Sequence, residues 1–176
     1  AMAAQLARVS VCADEAQSVL EPIYRAAHNI PALVELLQVR MDRATSPAVR
    51  TTIAGELAKL QQSDPTGALR SLLAGLRAQP TLAGLAAVEK LAVQAEDWAA
   101  LGEAFDLVLA TASLADADRI ALLQRATDND RRRGDQAALE SRLRAWARAQ
   151  PTASAPYEQL ENLLDDVRQG RQAVDG

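Results

Sequence analysis

The chain has 176 residues, a formal net charge of −4, 49% hydrophobic residues and only 3% aromatics. That apolar content can build a continuous core, and with eight Gly and seven Pro the composition fits neither a disordered chain nor a turn-rich β protein. One Cys (Cys12) and one His (His28) exclude the usual Cys/His metal cluster, the acidic balance argues against a general nucleic-acid binder, and no apolar run is long enough for a membrane span. From the N-terminus, Ala1-Met2 reads as a remnant ahead of an internal start. Apolar residues then recur at i, i+3, i+4 spacing, as in Leu33, Leu36, Leu37 and Met41, or Leu69, Leu72, Leu73 and Leu76. The same spacing recurs in Leu101, Phe105, Val108 and Leu109, and in Leu139, Leu143 and Trp146. Sustained period-two alternation is absent, so the chain is expected to be all-α.

Helix breaks are as regular as the helices. Ser46-Pro47, Asp64-Pro65 and Ser113-Leu114-Ala115-Asp116 carry capping residues ahead of helix starts. Gln79-Pro80-Thr81 and Gln150-Pro151-Thr152 end one helix and cap the next, and Gly134-Asp135 joins a C-cap glycine to an N-cap carboxylate. These signals predict about ten helices, at 3–11, 14–27, 30–44, 47–62, 65–78, 82–95, 98–112, 115–133, 136–149 and 153–168. Links this short make neighbours antiparallel. The polar stretch 169–176 is expected to fray. Cys12 reads as a small buried hydrophobe, against the alternative of a reactive thiol.

The strongest signal is internal similarity. Arg77-Ala78-Gln79-Pro80-Thr81 returns as Arg148-Ala149-Gln150-Pro151-Thr152, 71 residues later. Within that long period, two-residue breaks fall at His28-Asn29, Ser63-Asp64, Glu96-Asp97 and Gly134-Asp135, their second members 35, 33 and 38 residues apart. Behind them come Leu33, Ala68, Leu101 and Leu139, then, one turn on, Leu37, Leu72, Phe105 and Leu143. Ahead of three breaks stand the pairs Leu20 and Tyr24, Val88 and Ala92, and Ala126 and Asp130. Asp130 departs from this apolar pattern, which predicts that its turn is solvated.

A two-helix unit of this length cannot bury its apolar face alone, but a stack of such units can. On these residues the sequence resembles the tetratricopeptide repeat family over roughly residues 14–152. Ala68, Leu72, Gly75 and Pro80 match the family's Ala, aromatic, Ala and Pro in order. Gly134-Asp135, Leu143 and Pro151 match its loop, bulky residue and closing proline, and Leu20 and Tyr24 its Leu and Tyr. Trp98 stands where an aromatic often follows the loop. No unit carries the full signature, and Leu33, Leu101 and Leu139 replace the usual small residue.

The resemblance implies one right-handed α-solenoid over 3–168, with hairpin units at about 14–44, 47–79, 82–112 and 115–150 and end helices at 3–11 and 153–168. The first end helix reads as half of a unit, so the chain is expected to be one segment of a longer protein. The charged outer face of the last helix (Glu158, Glu161, Asp165, Asp166, Arg168) suits a terminal cap. The Arg-rich, Lys-poor composition, with only Lys59 and Lys90 among 19 basic residues, points to a GC-rich bacterial source. No signal peptide is visible, so a cytoplasmic location is favoured, with the periplasm or envelope open if a leader lies outside these residues.

No catalytic, cofactor or metal motif is found. His28 sits at a helix-ending loop position and is not expected to serve as a base. Asp165-Asp166 reads as part of a solvated face, because nothing nearby would desolvate an acid pair. The only strong charge cluster is Arg131-Arg132-Arg133. One reading is a set of cations placed against a helix C-terminus. The other is an anion-binding patch assisted by Arg142 and Arg144.

By the resemblance, the first helices of the hairpins line a concave face where a protein or peptide partner binds. The residues carried over to that face are Arg25, Gln61, Gln62, Lys90, Gln94, Gln124, Asp128 and Arg131, with Arg132 beside them. Pro22, Ala58, Lys90 and Asp128 occupy one row without an Asn, so a clamp for a partner's C-terminal carboxylate is not expected. The expected function is a non-catalytic interaction scaffold, and the alternative is a helical spacer or accessory segment of a larger enzyme or envelope assembly. Neither nucleic acid nor membrane insertion is expected, and self-association through the end helices is left open.

Overall fold

The computed structural model describes residues 13–111 and 114–174. Among them are nine α-helices and no strand. In chain order these are α1 (Ala13–Ala26), α2 (Ile30–Arg43), α3 (Pro47–Leu60), α4 (Pro65–Ala78) and α5 (Leu82–Ala95). They are followed by α6 (Trp98–Leu109), α7 (Asp116–Arg133), α8 (Gln136–Ala149) and α9 (Ala155–Val174). The expected helix at 3–11 and Cys12 lie outside the described residues. The last helix, α9, begins at Ala155, past the Pro151-Thr152 start signal, and its backbone is helical as far as Val174.

Each break has a chemical cause. A side-chain oxygen of Asn29, Asp64, Asp97 and Asp135 accepts from the backbone N–H three residues on, at 3.3, 3.0, 2.9 and 3.0 Å. Thr81 does the same for Gly84 at 3.0 Å. These oxygens occupy first-turn donors that have no partner within the helix. The second member of every two-residue break is therefore the N-cap of the helix behind it. Three breaks also place a residue in the left-handed region just before the cap: His28 (φ 52°), Glu96 (φ 54°) and Gly134 (φ 68°). Only Gly134 holds that conformation without a Cβ penalty.

The chain divides into two compact units between Glu96 and Asp97, at the third break. The first holds α1 to α5. Here each described helix packs on its neighbours in the chain: α1 on α2, α2 on α3, α3 on α4, α4 on α5. Leu33 and Leu37 of α2 and Ile53 and Leu57 of α3 form one core cluster, with Tyr24 of α1 packed against it. The α3–α4 contact is the most extensive, and small residues explain it. A Cβ on Gly75 would lie 2.7 Å from the Ala54 Cβ, so only glycine allows this approach. Farther along, Leu85, Val88 and Ala92 of α5 are fully buried. Leu72, matched to a bulky inward position, is half-buried, while Leu69 and Leu73 on the same helix are buried.

The second unit holds α6 to α9, again packed in chain order. Leu123, Leu139, Leu143 and Trp146 form its core, with Leu160 and Leu163 of α9 set against them. Leu101 and Phe105 of α6 are buried as the repeat spacing predicts. Tyr157 and Leu164 of α9 stay exposed, at 48% and 36%.

Candidate functional site

The second unit contains a buried polar cluster that centres on Asp130. The expectation that this turn of α7 is solvated is wrong: Asp130 is 0% exposed. The repeat spacing already placed it level with buried Ala92, and the position is inward as that spacing says. An isolated carboxylate there would be very costly, so it must be paired. Arg142 Nε of α8 donates to Asp130 Oδ2. Arg133 Nη1 stands 3.4 Å from Oδ1. The same Arg142 donates through Nη2 to Asp106 Oδ1 of α6 at 2.9 Å, and Arg133 reaches Asp135 at 3.2 Å. One buried carboxylate and one buried guanidinium thereby tie together α6, α7 and α8.

This arrangement decides the two readings of the arginine run. All three lie in the last turn of α7, against its carbonyl end, with Gly134 as the C-cap. Successive helical residues point about 100° apart, so three in a row cannot face one ligand. Arg131 donates to Asp128 at 2.8 Å and to Gln159 of α9 at 2.9 Å. Arg132 lies over the Trp98 ring, 5.0 Å from its centroid. Arg133 turns toward Asp130 and Asp135. Arg142, expected to assist an anion patch, is 8% exposed and committed inward, and Arg144 pairs with Glu140 on its own helix. The run therefore lies as cations against a helix C-terminus, with its three side chains turned to different partners.

Beside this cluster, a groove of about 370 Å3 opens between the end of α7, the first half of α8 and α9. Leu139, Leu143 and Leu163 line its apolar part, and Arg131, Asn162 and Asp166 are among its polar groups. The surface side chain of Asp166 is thus beside a concavity, while Asp165 pairs with Arg168 at 3.3 Å along the helix.

Of the other expected partner-face residues, Gln124 and Asp128 are exposed on α7, and Lys90 and Gln94 are exposed one turn apart on α5. Arg25 bridges α1 and α3 through Glu21 at 2.7 Å and Glu56 at 3.2 Å. The hydrogen bond it donates to Glu21 raises the guanidinium pKa above an already high ordinary value, so it stays cationic. Gln62 is exposed in the α3–α4 turn. Gln61 is half-buried there and is a structural residue. Set so that Nε2 meets its acceptors, its amide donates to Ser71 Oγ at 2.8 Å and to the Gly67 and Leu57 carbonyls at 3.2 and 3.3 Å. The structure brings Asp128 and Arg131 together at the groove end of α7.

His28 is exposed in a turn, its Nδ1 3.3 Å from the Ala26 carbonyl. Among the described residues no group of three His, Cys, Asp or Glu side chains could hold a metal ion. No described helix is long and apolar enough to cross a membrane. Compared with models of known protein families, with curated proteins and with solved structures, the chain matches none.

Proposed function

We propose that the chain is a tetratricopeptide-like array of stacked helical hairpins and works as a non-catalytic scaffold for a protein partner, as one segment of a larger bacterial protein. Chain-order packing within each unit and the recurrent Asx-capped breaks support the repeat reading. The observation that carries the functional reading is the α7–α8–α9 groove, which combines a leucine-lined part with separated polar groups. A partner helix or extended peptide laid there buries apolar side chains on Leu139, Leu143 and Leu163, while Arg131 and Asp166 set its polarity and register. The spacer reading is favoured by a different observation: Arg131, Arg132 and Gln61 already have partners within their own units.

A photo-crosslinking residue at Asn162, introduced in the native cell, tests between them. The scaffold reading expects one protein crosslinked from the groove. That protein, once purified, should bind the chain at least tenfold more weakly after Arg131→Glu with Arg132→Glu, helicity being unchanged. Binding that survives both substitutions refutes the groove assignment. The absence of any crosslinked partner favours the spacer.

A further inference from the structure

A second concavity, of about 280 Å3, lies in the first unit where α2 ends and α3 begins. It is lined by Gln17 of α1, Arg40 and Arg43 of α2, and Thr45, Ser46 and Val49 at the entry to α3. Among the described residues every polar side chain in this lining can donate a hydrogen bond, and none is a carboxylate. Gln17 is only 6% exposed, yet its Nε2 has no hydrogen-bond partner. A buried donor left in this state is unfavourable, and an acceptor placed in the cleft would relieve it. Arg43 makes no ion pair among the described residues, and Arg40 shares one of its nitrogens, Nη1, with Glu21 at 3.1 Å.

The start of α3 adds a second source of positive potential. It is a fourteen-residue helix with Pro47 at its first position, no acidic residue in its first turn, and a Ser46 N-cap whose side chain makes no capping bond. Its first-turn N–H groups are without helical acceptors and lie at the positive end of the helix dipole. Two guanidinium groups, an unpartnered buried amide, two hydroxyls and an open helix start converge on one small cleft.

We propose that this cleft is a binding site for a phosphate group, carried either as free phosphate or as a small phosphate monoester. Phosphate supplies acceptors in several directions at once, which suits donors arriving from three helices, and its charge matches Arg40, Arg43 and the α3 start. The inference stands apart from the scaffold reading, since it uses other residues in the other unit.

The test is a titration of the whole isotope-labelled chain with sodium phosphate and with glycerol 2-phosphate, followed by amide NMR, against sodium chloride at matched ionic strength. The expected result is a saturable shift confined to the backbone amides of Ser46, Ala48 and Val49 and the side-chain amide of Gln17. Arg43→Ala, at an exposed position, should weaken binding at least tenfold with helicity unchanged, and Gln17→Leu should weaken it several-fold. Tighter binding of the ester assigns the site to a phosphorylated small molecule, and equal binding assigns it to free phosphate. Shifts matching the chloride control, equal shifts at the start of α5, or unchanged binding by Arg43→Ala would each overturn the proposal.

Discussion

Replacing Asp130 by Asn is the most direct probe of the buried charge cluster. The change keeps the side chain's size and removes its charge. Arg142, whose side chain is 10% exposed, then keeps only Asp106 as a charged partner, and that carboxylate is itself 69% exposed. Removing one member of a buried ion pair typically costs about 3–5 kcal/mol. Because Asp106 stays at 2.9 Å, the lower end applies, about 3 kcal/mol. For a chain of this size that lowers the melting temperature by about 6–12 °C. Arg142→Met should cost at least as much, since it leaves Asp130 with Arg133 alone at 3.4 Å. The double variant Asp130→Leu with Arg142→Met removes both charges and should fall within about 1 kcal/mol of the original chain. Both tryptophans, Trp98 and Trp146, belong to the second unit, so urea unfolding followed by tryptophan fluorescence reports on the unit that holds the cluster. An Asp130→Asn variant within 0.5 kcal/mol of the parent would show that the carboxylate is hydrated, and the pairing argument would fail; that threshold is about the spread of ordinary surface substitutions.

Two further substitutions test local geometry. Glu96 holds φ 54° as a non-glycine C-cap, so Glu96→Gly should stabilise the chain by about 0.5–1 kcal/mol in thermal unfolding, whereas Gly134→Ala at φ 68° should destabilise it by about 1 kcal/mol. Gly75→Ala drives a methyl against Ala54 and should cost about 1–3 kcal/mol, most of it recovered in the double variant with Ala54→Gly.

The helices were legible because two local signals agree. Heptad-like leucine spacing marks the buried faces, and Asx residues followed by a turn of small or apolar residues mark the starts. Asp64 and Asp135 are legible as caps, and Asn29 and Asp97 as break residues, because the capping bond spans only four consecutive residues. Asp130 was misread for the opposite reason. Its repeat position points inward, whereas a lone carboxylate in sequence points to solvent. What reverses that judgement is Arg142, on the next helix, together with Asp106 one helix earlier. Such a pairing is tertiary and leaves no short-range pattern. Gln61 failed similarly: a polar residue near a helix end reads as surface, but Ser71 and two carbonyls surround its amide. The arginine run was found, yet its adjacency in sequence hid the divergence that the helix imposes on its members. Gln17 has no signal in the sequence at all, because an unpartnered amide is defined only by what surrounds it.

The chain-order packing of both units has a kinetic consequence. Within each unit the extensive helix contacts run between neighbours in the chain, so most of them close loops of a few tens of residues. Search time then depends on docking neighbouring helices, whose turns at Asn29, Asp64 and Asp135 are set by capping side chains. Small all-α proteins with contacts this local fold on the microsecond-to-millisecond scale.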